Sequence, residues 1–195
     1  MPILGILDSA KTGRLSTNAF ESIATASANG GGSFSFTSIP QTFTHLQLRV
    51  SMASTRGDNL DGTSTTINGV GTGTPYFGHG WYGEQYNGGS QAISGYNGGG
   101  GSGNNASIIP TYITGNNNAG IPTTYTWDFL NYTSTSRMKT YCMYNGGMTS
   151  ASYQSSVSGM RINTFTSLNA ITSIQFSMDY GGTYTNTTVA LYGVK

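Results

Sequence analysis

An antiparallel β-sandwich is the fold class this sequence predicts, and three observations predict it. Apolar residues recur with period two, clusters of Gly, Asn and Pro separate those runs, and helical periodicity is hard to find. About nine short strands in a single chain call for two sheets packed face to face or for a barrel. Alternation on both strand faces, without a repeat of blade length, favours the sandwich. The 195 residues suit one domain, able to bury something like 70% of the surface its unfolded form exposes.

Taken in order, residues 1 to about 19 read as an extended N-terminal arm and residues 20–195 as the sandwich domain. The arm holds the apolar cluster Ile3, Leu4, Ile6 and Leu7, followed by Lys11 and Arg14. It is too short to form a core element alone. It either packs on its own sandwich or inserts against a neighbouring subunit, because exposed apolar clusters seek a partner.

Strands follow at about Ser22 to Ala28 and Ser33 to Ile39, with Asn29-Gly30-Gly31-Gly32 between them reading as a hairpin turn. From His45 to Ala53 the alternation is clearest. Leu46, Leu48, Val50 and Met52 share one face, and Gln47, Arg49 and Ser51 the other. Ser64 to Asn68 and Ile108 to Thr114 are strands by β-branched content. Between and around them, Gly69 to Gly120 is rich in Gly, Asn, Tyr and Ser and reads as a region of long surface loop. Its rings, Tyr76, Phe77, Trp81, Tyr82, Tyr86 and Tyr96, sit among small polar residues, a mixture typical of binding loops. The other reading has them covering the end of the sandwich. Tyr125, Trp127 and Phe129 alternate with polar residues. Met138 to Tyr144, Gly159 to Phe165, Ile174 to Met178 and a last strand with Val189 and Leu191 complete the set.

Composition narrows function. Charged residues make only 8% of the chain and the formal charge is +1, so nucleic acid is not an expected partner. No stretch approaches the roughly 20 apolar residues of a membrane span. The apolar N-terminus lacks a positive n-region and meets Asp8, which argues against a secretory signal. Cys142 is the single cysteine and there are two His, so neither a disulfide nor a Cys/His zinc site is expected. Cys142 reads as a small buried hydrophobe. Neither a cofactor nor a metal is expected.

Short motifs fit the same picture. Gly78-His79-Gly80-Trp81-Tyr82-Gly83 matches the dinucleotide fingerprint letter by letter, without the strand, helix and βαβ unit that give it meaning. Arg56-Gly57-Asp58 is an adhesion-type tripeptide, and Asp58-Asn59-Leu60-Asp61-Gly62 reads as an Asx-type turn, supplying too few oxygens for calcium. Glu84 and Asp128 are the pair that would serve a glycosidase, but nothing in their spacing brings them together. His45 and His79 have no nucleophile motif around them. The sequons at Asn105, Asn131 and Asn186 arise freely in such a composition. No catalytic residues are expected.

Thr37-Ser38-Ile39-Pro40-Gln41-Thr42-Phe43-Thr44-His45-Leu46-Gln47-Leu48-Arg49 resembles a segment of structural proteins of tailed bacteriophages, including cyanophages. So do Ile171-Thr172-Ser173-Ile174-Gln175-Phe176, Tyr180-Gly181-Gly182-Thr183-Tyr184 and Val189-Ala190-Leu191-Tyr192-Gly193-Val194-Lys195. The opening, Ile3-Leu4-Gly5-Ile6-Leu7 with Phe20-Glu21-Ser22-Ile23-Ala24-Thr25, is similar to the same proteins. The resemblance implies a virion component with a sandwich or jelly-roll-like domain on the outer surface of capsid or tail.

The expected function is therefore a non-enzymatic capsid decoration or cement protein. Its partners would be the major capsid protein or neighbouring virion proteins, with Ile3, Leu4, Ile6 and Leu7 at the subunit or shell interface. A homotrimer is expected by analogy with cement proteins at shell three-fold positions. The alternative is a tail or fibre adhesin that binds host surface glycan through Trp81, Tyr82, Tyr86 and Tyr96.

Overall fold

The computed structural model describes residues 19–57, 60–70, 76–86, 90–98, 111–115, 121–150 and 155–195. All regular structure among them is β. Twelve strands occur: β1 (Phe20–Ala28), β2 (Ser33–Phe36), β3 (His45–Ser54), β4 (Leu60–Ile67), β5 (Tyr76–Tyr86), β6 (Ser90–Gly98), β7 (Thr111–Thr114), β8 (Thr123–Phe129), β9 (Lys139–Ser150), β10 (Ser155–Phe165), β11 (Ile174–Met178) and β12 (Tyr184–Val194). The expected arm, with Ile3, Leu4, Ile6 and Leu7, lies outside the described residues.

Two antiparallel sheets result. The longer runs β1-β12-β3-β8-β9-β10-β5-β6, and the shorter runs β2-β11-β4-β7. Among the described residues their strands are linked by a single parallel bridge from Ala53 to Thr114. Side chains do the rest. The Trp127 ring on β8 lies 5.4 Å from Phe176 on β11, and Phe34 on β2 lies 5.1 Å from Tyr184 on β12. The Tyr184 hydroxyl is also 2.7 Å from Thr63 Oγ1 on β4. This is the predicted sandwich, and its core is the one the alternation marks. Leu46, Leu48, Val50, Met52, Tyr125, Trp127, Phe129, Ile174, Phe176, Val189 and Leu191 are all buried, each of the larger ones contributing about 1.5–3 kcal/mol.

Two expectations are corrected here. Asn29 to Gly32 does not close a hairpin, because β1 pairs with β12 and β2 with β11. The chain instead crosses between sheets. Gly30 takes the positive φ (83°) of the turn, its N–H donates to the Tyr184 carbonyl, and the Tyr184 N–H donates to that of Gly31, both at 2.9 Å. The second correction concerns Gly69 to Gly120. Much of it is the hairpin β5–β6, which is in register from Gly78↔Gly98 to Tyr86↔Ser90. Glycine ordinarily weakens a strand, but here it makes room. A Cβ at Gly78 would stand 1.8 Å from Asn163 Oδ1, and one at Gly80 would stand 2.2 Å from the Met160 carbonyl oxygen. Asn163 and Arg161, both buried, occupy the space that side chains on β5 would otherwise fill.

Burial also sets an alkaline limit. Tyr76 donates to the Val70 carbonyl at 2.9 Å, and burial pushes its phenol up to about 12. Burial raises Tyr125, against the field of Arg161, and Tyr184, against its hydrogen bond with Thr63. Tyr132 is raised by burial as well. A phenol held protonated by the fold loses stability relative to the unfolded chain once pH passes 10. Tyr76 alone then costs about 2 kcal/mol by pH 12. Lys139 acts with the opposite sign, since burial lowers its pKa, but it is one group against four phenols and the Cys142 thiol, which burial also raises. Urea midpoints should hold up to about pH 9 and fall steeply between pH 10 and 12; a profile flat to pH 12 would contradict this account.

Candidate functional site

The longer sheet packs one face on the core and turns the other outward. Strand register assembles that outer face from distant segments. Trp81 (β5) stands opposite Met160 (β10), Met160 opposite Tyr144 (β9), Tyr144 opposite Thr126 (β8), and Thr126 opposite Arg49 (β3). Two positions along lies the row His79, Ile162, Cys142, Asp128 and Gln47, and beyond it Phe77, Thr164 and Thr140. Residues paired across strands, or two apart on one strand, share a face. The intervening row, with Met143, Trp127 and Leu48, is buried, so these rows point to solvent.

Three rings on this face are about half open: Phe77 at 46%, Trp81 at 48% and Tyr144 at 46% exposure. Trp81 and Tyr144 are two strand spacings apart, about 10 Å, and Phe77 lies four residues from Trp81, about 13 Å. Met160 and Ile162, partly buried, fill the space between them. The result is an apolar platform spread over β5, β10 and β9.

A polar array borders it toward the middle of the sheet. Gln47 Nε2 donates to Asp128 Oδ1 at 2.7 Å, and Arg49 Nε donates to Gln47 Oε1 at 2.8 Å. The Arg49 guanidinium also lies 4.7 Å from the Tyr192 ring centre and 5.3 Å from that of Phe20. Cys142 belongs to the platform margin rather than to the core. Burial, and then the Asp128 charge, push its thiol pKa up, which keeps it protonated and a poor nucleophile.

Of the predicted contact residues, Trp81 is on the platform. Tyr82 and Tyr86 are on the same strand at positions of opposite parity, and Tyr96 on β6 pairs with Gly80. The four therefore belong to a hairpin rather than to one loop, and of them only Trp81 holds a register position in the platform's rows. Tyr144 and Met160 join Trp81 instead. The sequence carries little sign of this, because only β9–β10–β5 pairing brings them together. By the same register Glu84 and Asp128 hold positions of opposite parity, so strand pairing does not set them in one row. The G-x-G-x-x-G run lies wholly within β5. His45 accepts the Asn131 N–H at its Nδ1, at 3.0 Å, as a structural cap.

Asp61, expected in a turn, lies on β4 and is 1% exposed. It accepts from Ser54 Oγ at 2.5 Å and from the Gly62 N–H at 2.8 Å, with Arg56 Nη1 3.7 Å away. Arg56 in turn sits 4.8 Å from the Tyr180 ring centre. A Cβ at Gly182 would fall 2.2 Å from Asp61 Oδ2, so the protein itself fills the space beside this carboxylate. Asp61 is a strut between β3, β4 and the turn before β12. Asp58 lies outside the described residues. Among the described residues no group of three or more His, Cys, Asp or Glu is placed to hold a metal.

A second apolar surface opens at the far edge of the long sheet, where β1 and β2 diverge. It is a groove of about 230 Å³, lined mainly by Ile23, Ala24, Ala26, Phe36, Ile39 and Leu191. The chain matches no protein-family model, no curated protein and no solved structure.

Proposed function

We propose that this chain is a non-enzymatic structural protein of a phage virion, a decoration or cement module that sits on the outer surface of the capsid as a homo-oligomer. The observation that supports this reading is a pair of apolar features at opposite ends of one sheet, an open ring platform and a groove that leads into the core. The Phe77, Trp81 and Tyr144 platform lies near one edge and the β1/β2 groove at the other, six strand spacings or about 29 Å apart. Gripping one ligand takes one surface. Holding neighbours together takes at least two, and multiplicity over a shell amplifies each modest contact. The phage-like segments at Thr37 to Arg49, Ile171 to Phe176, Tyr180 to Tyr184 and Val189 to Lys195 suggest the virion setting, and Ile3, Leu4, Ile6 and Leu7 supply a further apolar element for a subunit or the major capsid protein. A trimer matches the three-fold positions of a shell.

Particles assembled without the protein should lose resistance to heat and osmotic shock, and gel densitometry of complete particles should give many copies of it. Trp81→Ala should weaken attachment to the shell about thirtyfold while circular dichroism stays unchanged. Equal survival of particles with and without the protein would end the cement reading.

One observation favours a second reading, a tail or fibre adhesin for host surface glycan. Trp81 and Tyr144 offer open rings at a spacing near the length of a disaccharide, with His79 beside them, and sugar rings stack their C–H faces on such surfaces. Under that reading the copy number is a handful, the isolated protein binds a glycan array, and sugar shields Trp81 from acrylamide quenching.

A further inference from the structure

Arg49 on β3 is exposed, yet its guanidinium is fixed on three sides. Its Nε donates to Gln47 Oε1 at 2.8 Å, Gln47 is held in turn by Asp128 at 2.7 Å, and the rings of Tyr192 and Phe20 have their centres 4.7 and 5.3 Å away. Among the described residues the ion pairs are Arg56 with Asp61 and Lys195 with Glu21, so no carboxylate faces Arg49. An arginine ordinarily gives up rotamer freedom when it grips an anion. Here the fork is fixed beforehand, and its Nη edge is left for a ligand.

The same residue stands in line with the open rings. Register sets Arg49, Thr126, Tyr144, Met160 and Trp81 in one row across β3, β8, β9, β10 and β5. Arg49 is two strand spacings from Tyr144, and Tyr144 two from Trp81, each step about 10 Å at the backbone. None of the five is acidic, and Asp128, in the next row, engages Gln47. A cation and two rings at equal steps match a chain of repeating units that crosses the strands.

Backbone pairing decides between a peptide and a polysaccharide. Each of these five strands is paired on both sides, so a peptide on this face meets no free edge and strand addition is closed to it. A polysaccharide needs no such ladder. Its rings offer C–H faces to Tyr144 and Trp81 and its hydroxyls can meet Thr126, while the Arg49 fork calls for a carboxylate.

We infer that this face binds an acidic polysaccharide laid across the strands, with a uronic-acid carboxylate on Arg49 and sugars farther along the chain stacked on Tyr144 and Trp81. The inference rests on the adhesin reading's choice of this face, and it names the class of glycan.

The test uses the full chain with hexamers of galacturonate, of guluronate and of hyaluronan as probes, each beside the same oligomer with its carboxyl groups reduced to alcohols. At least one acidic hexamer should bind, more weakly as salt rises, and should shield Trp81 from acrylamide, Trp127 being buried. Its reduced form should bind tenfold or more weakly. Arg49→Gln should lose the same factor, and Arg49→Lys should recover little of it because the contact is two-pronged; circular dichroism of both should match the parent. Tyr144→Ala should weaken the acidic and the reduced oligomers alike. Failure of all three acidic hexamers to bind, or equal affinity with and without the Arg49 guanidinium, overturns the inference. Binding of the reduced forms alone overturns it and leaves the adhesin reading standing; acidic-hexamer binding by a protein present in many copies on the capsid ends the adhesin reading and leaves the inference standing.

Discussion

Trp127→Ala should lose about 3–5 kcal/mol of stability in urea denaturation, the usual cost of emptying a large aromatic site. A domain of this kind holds only about 5–15 kcal/mol in total, so the variant should be close to unfolding at 37 °C. Trp127 is fully buried and touches both layers, with Phe129 at 6.1 Å in its own strand and Phe176 at 5.4 Å in the facing sheet. Its removal therefore opens a cavity where side chains alone join the sheets. The indole N–H has no hydrogen-bond partner in that core. Trp127→Phe should then lose much less, because removing an unpartnered buried donor offsets part of the lost volume, by about 1–3 kcal/mol. Trp81→Ala is the control. As a half-exposed outer-face residue it should lose about 1 kcal/mol, well below the loss at Trp127. Equal losses at 81 and 127 would mean that the outer platform is part of the fold and not a contact surface.

Asp61→Ala should cost about 2–4 kcal/mol, chiefly through groups left behind rather than through a lost charge pair. Ser54 Oγ and the Gly62 N–H would both lose their acceptor in a site closed to water. The Arg56 contact adds little, since its side chain is 33% exposed and solvent screens such pairs. Asp61→Asn keeps the volume and one carbonyl oxygen, so its loss should be smaller than that of Asp61→Ala. Thermal midpoints of the two variants check the order; a reversed order would place the charge, and not the hydrogen bonds, at the centre of the strut.

The half-buried strands were legible because one face meets the core and the other meets water. Leu46, Leu48, Val50 and Met52 alternate with Gln47, Arg49 and Ser51 for that reason, and the sandwich follows from several such runs. The β5–β6 hairpin was not legible. Its Gly78 and Gly80 look like loop residues until Asn163 and Arg161, eighty residues on, are seen to need the space. The turn at Asn29 to Gly32 shows a related limit, since a turn signal announces a change of direction and not which sheet the next strand joins. At the candidate site, composition picked out Trp81. Its companions Tyr144 and Met160 depend on register across β9, β10 and β5, which no local pattern encodes.

The pairing of β1 with β12 has a consequence for biosynthesis. Phe20 finds its partner in Val194, so the first strand emerges from the ribosome long before anything exists to hydrogen-bond with it. At about 5–20 residues per second that wait is roughly 10–35 s, during which a weakly charged edge is open to other nascent chains. Co-expression with a chaperone that shelters extended segments should therefore raise the soluble yield of this protein more than lowering its final concentration does.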